Sequence, residues 1–328
     1  MNDVGIDIAK KTFDVTLLKG DEPAEHGQFS NNQAGHKKFL KWLKRRVPQL
    51  ERVRAVMEAT NIYWEELAEY LHEQGLTVSV VNPAAIKGFA QSQLQRNKTD
   101  KVDSRVMAVF GRQTEPTAWQ PPQPHQRKLR ALVRHKQALV KTRTQQMNRL
   151  ASCTDEDVKA SLQGLVTVLN QQLEQVQHKI KTLINDHDDL RANHRLITSI
   201  KGIGDDTASL ILAEFYDLEQ YASAKTVAAD AGVTPAKYQS GISVRRKAKM
   251  SRIGKATVRG ALFWPAQSAI RWNPLVKALA ERLRQRGKPF GVILVAAMRK
   301  LLHIIFGVVK NKTPFDPNFE NHSSLLPT

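Results

Sequence analysis

Near its N-terminus the chain reads Val4-Gly5-Ile6-Asp7-Ile8-Ala9, an apolar run that contains a single carboxylate. Short runs rich in Val and Ile are typical of buried β-strands. A second run of this kind ends in Val56-Met57-Glu58-Ala59-Thr60 and also carries one acid. Because a buried carboxylate is costly unless something binds it, Asp7 and Glu58 are candidate functional residues.

The order of the predicted elements indicates the fold class. The pattern predicts strands over residues 4–9, 13–18 and 26–30, then a helix over 33–46, a strand over 52–58, a helix over 62–74, a strand over 76–81 and a further helix. Three strands followed by alternating helices and strands is the order of the ribonuclease H-like fold, an α/β architecture. In that order Asp7 lies on the central first strand and Glu58 ends the fourth.

Two further acids, Asp100 and Asp103, precede an apolar segment and are spaced to share one face of a helix. Four carboxylates without a His or Cys partner favour hard cations, so the sequence predicts Mg²⁺ or Mn²⁺ rather than zinc. Such ions catalyse phosphodiester chemistry. Each acid alone also fits an ordinary role in a turn, an ion pair or a helix N-terminus. All four together, on a basic chain, favour the metal site.

The charge of the chain predicts a polyanionic partner. Lys and Arg number 50 against 31 Asp and Glu, a net charge of +19 over 328 residues. Nucleic acid is the expected partner, and an anionic membrane is the alternative. Because no apolar run approaches about 18 residues and no signal peptide precedes the first strand, we expect a cytoplasmic protein. The single cysteine, Cys153, excludes an internal disulfide and a cysteine-rich zinc site.

The middle of the chain predicts a linker and two long helices. Residues 115–124 hold four prolines, which indicates a linker or strap. A basic helix is predicted over residues 126–150. The next helix carries apolar residues alternately four and three apart, namely Leu162, Val166, Leu169, Leu173, Val176, Ile180 and Leu183. This coiled-coil seam fits either an antiparallel pair within one chain or a dimerisation arm.

The C-terminal third combines a glycine turn with a basic stretch. Gly202-Ile203-Gly204 before an apolar helix suits a helix-hairpin-helix turn that can hold a phosphate. Residues 231–280 contain ten Lys or Arg and no acid, and seven of these fall within fifteen residues: Arg245, Arg246, Lys247, Lys249, Arg252, Lys255 and Arg259. A basic run is often only a solvated face, but an acid-free stretch of this length favours contact with DNA or RNA. Helices are predicted over residues 274–286 and 290–309, the second as a core helix.

The combination of motifs resembles a known family, the DEDD-type insertion-sequence transposases related to the Piv DNA invertases, which include the bridge-RNA-guided recombinases. The resemblance covers nearly the whole chain. It rests on Gly5-Ile6-Asp7-Ile8-Ala9-Lys10, Glu58-Ala59-Thr60, Val81-Asn82-Pro83-Ala84, Arg96-Asn97-Lys98-Thr99-Asp100 with Asp103, Gly202-Ile203-Gly204, Gly232-Val233-Thr234-Pro235, and Ser240-Gly241 before Ser243-Val244-Arg245. Asn61, Ser104 and Lys201 depart from the family's usual glycine, alanine and proline.

The resemblance implies three domains: a RuvC-like metal-binding catalytic domain over residues 1–124, a helical coiled-coil region over 125–194 and a small, mainly helical transposase domain over 195–328. It implies that Asp7, Glu58, Asp100 and Asp103 bind Mg²⁺ beside the scissile phosphate of DNA. It further implies Ser240 as the nucleophile, although a turn serine is the plainer interpretation and Ser243 is a rival.

The resemblance also implies a structured guide RNA and a homodimer or homotetramer as partners. Lys98 is grouped with the basic stretch as a nucleic-acid contact. The alternatives are a metal-dependent nuclease of the Holliday-junction resolvase type, with water as nucleophile, and a non-enzymatic nucleic-acid-binding protein.

Overall fold

The computed structural model describes residues 1–59, 61–95, 99–215, 217–236, 239–240, 244–245, 249–251 and 253–318, with only the backbone of residues 239, 240, 244 and 245. The chain divides into two compact units, Met1–Pro121 and Pro122–Thr328. Each unit has its own hydrophobic core.

The first unit is built on a five-stranded mixed sheet. Its strands are β1 (Asn2–Ile8), β2 (Thr12–Leu18), β3 (Glu25–Ser30), β4 (Val53–Glu58) and β5 (Thr77–Val81). They lie in the order β3-β2-β1-β4-β5, with the first three antiparallel and with β1, β4 and β5 parallel. The predicted strands are confirmed to within two residues. The α/β class is confirmed, and the sheet is compatible with a ribonuclease H-like domain.

Helices cover both faces of this sheet. Consecutive residues of β1 and β4 are buried, and their side chains point to opposite faces, so each face needs a covering layer. They are α1 (Gln33–Lys44), α2 (Glu65–Glu73), α3 (Pro83–Ser92) and α4 (Asp100–Thr114). Val4 and Ile6 of β1 share one core with Phe39 of α1 and Leu67 of α2. On the opposite face Val56 of β4 packs with residues of α3 and α4.

Contact between α4 and β1 is unusually close because β1 has a glycine at the crossing. A Cβ atom on Gly5 would lie 2.0 Å from the carbonyl oxygen of Ser104 and 2.3 Å from the amide nitrogen of Ala108. No side chain fits these distances, so helix and strand approach backbone to backbone. The contact fixes where α4 begins relative to the end of β1.

The proline-containing segment after α4 is a strap on the first unit. The Trp119 amide donates to the Val78 carbonyl of β5 at 2.7 Å, and the Ser79 hydroxyl donates to the Pro116 carbonyl at 3.0 Å. The Trp119 ring packs edge-on against Trp64. These contacts confirm the strap interpretation.

The second unit is helical. Its helices are α5 (Pro124–Ser152), α6 (Glu156–Asp186), α7 (Asp188–Thr198), α8 (Asp205–Glu214), α9 (Ala224–Asp230), α10 (Ala256–Ala261), α11 (Phe263–Trp272), α12 (Pro274–Gln285) and α13 (Phe290–Asn311). One core extends from Leu129 of α5 to Val309 of α13, through both the predicted middle and C-terminal regions. The helices predicted over 126–150, 274–286 and 290–309 are confirmed.

The long helices α5 and α6 pack against each other within the chain. Of the seven residues of the predicted seam, all but Val166 are buried. The pairing within one chain is therefore observed. The coiled-coil geometry and the dimerisation arm stay predictions.

Although Arg299 and Lys300 interrupt its apolar sequence, helix α13 is long and apolar enough to cross a membrane by length and composition, and half of its most apolar window is buried. It contacts α7, α9, α11 and α12. These contacts confirm its predicted place in the core.

Short ribbons occupy part of the basic stretch. They pair β6 (Pro235–Ala236) with β9 (Lys249–Met250), and β7 (Gln239–Ser240) with β8 (Val244–Arg245), both antiparallel. Sequence reasoning did not predict these strands because each has only two residues.

Gly5→Ala should destabilise the first unit by about 1–3 kcal/mol, because the added methyl group overlaps the α4 backbone. Urea-induced unfolding measures the change. Gly88→Ala is the matched control, since Gly88 lies within α3 with no atom within 4 Å of an added Cβ. That variant should stabilise the protein by about 0.5–1 kcal/mol. Equal stability of the two variants would contradict the close contact.

Candidate active site

The sheet places three acids on the face that α4 covers. Side chains alternate along a strand, so Asp7 shares a face with Gly5, and Glu58 shares a face with Val56. Asp14 of β2 lies directly opposite Asp7 in the antiparallel register. Residues opposite each other in such a pair have side chains on the same face. Asp7, Asp14 and Glu58 therefore point to one side of the sheet.

The N-terminus of α4 adds two more acids. The Thr99 hydroxyl caps the helix by accepting from the Val102 amide at 3.3 Å, and Asp100 and Asp103 lie in the first turn. Carboxylates are favoured there by the helix dipole. Asp103 is half-buried and Asp100 is exposed.

The electrostatics of Asp7 indicate that the other acids lie near it. Burial is the largest cause that raises the pKa of Asp7 from 3.8 to about 7, followed in order by the carboxylates of Asp103, Asp100, Glu58 and Asp14. The other three acids singled out from the sequence thus lie within electrostatic reach of Asp7. Like charges held together repel, and this cost is the sign of a site that binds a cation or a proton.

The side-chain positions do not by themselves form a coordination shell. Within the described ranges, which include all five acids, no group of three or more His, Cys, Asp or Glu side chains could hold a metal ion as placed. The oxygen-only donor set fits Mg²⁺ or Mn²⁺ in its chemistry. Metal binding therefore stays a prediction.

Asp14 is an acid that sequence reasoning missed. Its carboxylate is buried and accepts from the Gln28 amide at 2.9 Å, and it lies 3.0 Å from Nε2 of His26. These partners hold the side chain in place beside Asp7. The signal that could have found it is the register of the hairpin formed by β1 and β2, because a short turn between them sets these acids opposite each other.

Two of the positions that depart from the family pattern are explained by the structure. Asn61 has φ of 60°, the left-handed region that glycine prefers and asparagine tolerates. Ser104 is buried where α4 meets the sheet, and its hydroxyl bonds to the Thr16 hydroxyl at 2.8 Å and to the Lys101 carbonyl at 3.0 Å. Each replacement is therefore compatible with its local backbone and hydrogen bonding.

The third departure lies in the glycine turn between α7 and α8. The Lys201 carbonyl accepts from the Asn273 side chain at 3.2 Å. The next residue, Gly202, has φ of 101°, and a Cβ there would lie 3.0 Å from Ala269 of α11. Helices on both sides of the turn confirm the predicted helix, turn and helix. Its phosphate contact stays a prediction.

The proposed nucleophile lies on a short ribbon of the second unit. Ser240 of β7 pairs with Val244 of β8. The other pair lies outside this one in sequence, because β6 precedes β7 and β9 follows β8. Ser240 and Arg245 are described by their backbone alone. Several predicted residues lie outside the described residues, namely Lys98, Ser243, Arg246, Lys247 and Arg252.

The remaining basic residues differ in their surroundings. Lys249 is exposed on β9. The Lys255 ammonium lies 2.7 Å from a carboxylate oxygen of Asp230 and 4.3 Å from the centre of the Phe215 ring. Arg259 is half-buried on α10. The internal partners of Lys255 indicate that it stabilises the fold.

Two models of known protein families match this chain. A family model for DEDD-type IS110 elements, described as "Transposase", matches residues 4–156, and one described as "Transposase IS116/IS110/IS902 family" matches residues 194–281. The chain belongs to the IS110 family of transposases. Members of this family are DNA transposases and recombinases, and so is this enzyme.

Two curated relatives are similar to the transposase along nearly its full length, and a third is similar over about half of it. The "Pilin gene-inverting protein" of Moraxella bovis is 34% identical over 321 residues, which cover 95% of this chain and 97% of that protein. Its counterpart in Moraxella lacunata matches equally. The "Transposase for insertion sequence element IS1328" of Yersinia enterocolitica is 26% identical over 204 residues, 53% of this chain and 59% of the relative.

Asp7→Asn should change how the stability of the transposase depends on pH. A folded-state pKa above the unfolded value of 3.8 means that the folded protein holds this proton more tightly. Asp7 therefore contributes stability that is present below about pH 4 and is lost as the pH rises through about 7. With a chelator present, the variant should match the wild type near pH 4 and exceed it at pH 8 by at least about 1 kcal/mol. Urea unfolding at several pH values measures this difference, and a difference independent of pH would contradict the raised pKa.

Proposed function

We propose that this transposase cuts and rejoins DNA through a phosphoserine intermediate, with Mg²⁺ or Mn²⁺ at the acidic cluster. The observation that supports the proposal is the concentration of carboxylates around Asp7. Asp7, Glu58, Asp100 and Asp103 would hold the cation, and Asp14 would add negative charge beside Asp7 from the neighbouring strand. When bound, the cation supplies a positive charge that stabilises the charge developing on the scissile phosphate.

Ser240 is the proposed nucleophile. Its hydroxyl oxygen loses its proton and attacks the phosphorus, the bond from phosphorus to one strand oxygen breaks, and that oxygen gains one proton in exchange and becomes a strand-end hydroxyl. One phosphodiester bond forms for each one that breaks, so the energy of the bond is retained in the phosphoserine link. Attack by another strand-end hydroxyl then reverses the step, joins the strands and releases the serine without a nucleotide cofactor.

The proposal includes a structured guide RNA, which the family resemblance implies and the charge of the chain supports. Helix α5 contains eight Lys or Arg and no acid, and residues 231–280 contain ten and no acid. Two separate basic elements suit a protein that holds more than one nucleic acid. A homodimer or homotetramer and a cytoplasmic location complete the proposal.

Ser240→Ala should keep DNA and RNA binding and lose both the covalent adduct and the recombinant product, because only one hydroxyl is removed. The adduct is measured by denaturing electrophoresis of labelled DNA after incubation with Mg²⁺. Ser243→Ala is the matched control and should still form the adduct. If Ser240→Ala cleaves DNA in Mg²⁺ while Asp7→Ala does not, water is the nucleophile and the enzyme acts as a resolvase-like nuclease.

Neutralising Arg245, Arg246 and Lys247 together to Gln should weaken nucleic-acid binding and flatten its salt dependence. Removing the charge that neutralises one phosphate reduces the slope of log affinity against log salt by about 0.9 for duplex DNA. Titrations at several salt concentrations, with DNA and with RNA, measure the slope for each polymer. An unchanged slope would show that these three residues form a solvated face and do not contact the nucleic acid.

A further inference from the structure

The second unit contains an open groove of about 740 Å³ that the proposed chemistry does not use. Residues of α5, α6, α8, α10 and α11 line it. Its apolar lining includes Val133, Val140, Ile180, Leu210, Trp264 and Pro265. A groove of this volume, lined by both apolar and polar residues, has the dimensions of a binding site.

Trp264 of α11 is the unusual residue of this groove. It is 73% exposed, although tryptophan is among the side chains that gain most from burial. Phe263 packs edge-on against it, with ring centres 5.2 Å apart. The indole is therefore supported by a neighbouring ring and is open toward the solvent.

The charged residues that line the groove are Lys136, Lys141 and Asp206, a small net positive charge. Of the five helices that line it, α5 has no acid, and α10 and α11 belong to the acid-free stretch. Asp206 is the acid that lines the groove, and it pairs with Lys136 at 2.6 Å. Lys141 is exposed on the α5 wall. An open aromatic ring beside an exposed lysine is an arrangement by which proteins hold unpaired nucleotides.

We propose that Trp264 stacks on an unpaired nucleobase of RNA or DNA, with the adjoining phosphates beside Lys141. The ligand is single-stranded, because the base faces in a duplex are already covered by their neighbours. RNA and single-stranded DNA share this chemistry, so the experiment compares them. The inference rests on the proposed function and adds to it a specific binding site for an unpaired segment.

The test measures binding of the full-length protein to fluorescein-labelled oligo(U), oligo(dT) and duplex DNA of about 16 nucleotides or base pairs. Trp264→Ala should weaken single-strand binding roughly 5- to 150-fold, the range expected for one stacked base, and leave duplex binding unchanged. Trp264→Phe should restore most of the affinity. The oligonucleotide that loses more affinity, oligo(U) or oligo(dT), identifies whether the groove binds RNA or single-stranded DNA.

The salt dependence separates stacking from charge. Trp264→Ala should leave the slope of log affinity against log salt unchanged, whereas Lys141→Gln should reduce it by about 0.7. The matched control is Trp272→Ala, since Trp272 is 71% exposed on the same helix but does not line the groove, and its affinity should equal that of the wild type.

Three outcomes would overturn the inference. Wild-type affinity of Trp264→Ala for both single strands would exclude stacking. An equal loss from Trp272→Ala would show a general effect of exposed aromatic residues. A changed oligomeric state of Trp264→Ala in analytical ultracentrifugation would assign the groove to a second copy of the chain. If the wild type binds none of the probes, the proposed function fails instead.

Discussion

The backbone contact between α4 and β1 at Gly5 determines the candidate active site. Since no side chain separates helix and strand there, the first turn of α4 comes to the end of β1, and Asp100 and Asp103 come near Asp7. Ser104 and Thr16 add a buried hydrogen bond beside this contact. The position of two acids at the start of α4 thus depends on the absence of one methyl group in β1.

The first unit accepts an electrostatic cost for this arrangement. Five carboxylates lie around one end of a sheet, and one of them is buried enough to bind a proton near neutral pH. Asp14 opposite Asp7 adds to the repulsion, yet Gln28 and His26 hold it in place. Such a local conflict in an otherwise consistent fold is expected where function, rather than stability, selects the residues.

The main helices and strands were predictable from the sequence because their apolar residues form clear patterns. Several features of the site were not predictable. Apolar runs rich in Val and Ile located β1 and β4 with their acids, and the heptad spacing located α6. Asp14 needed the strand register, which periodicity alone does not give. The exposure of Trp264 needed the packing of α11, because an apolar residue in a helix is ordinarily predicted to be buried. Ribbons of two residues are too short to leave any pattern.

The place of α13 in the core has a consequence for synthesis of the chain. The core of the first unit is complete once residue 121 has been made, whereas the second core needs the buried residues between Ile293 and Val309. Because domains fold as units, N-terminal first, the first unit can fold on the ribosome while the strongly basic second unit still exposes its apolar surface. Until α13 emerges, the second unit of the nascent chain is a polycation without a finished core, which can aggregate or bind chaperones.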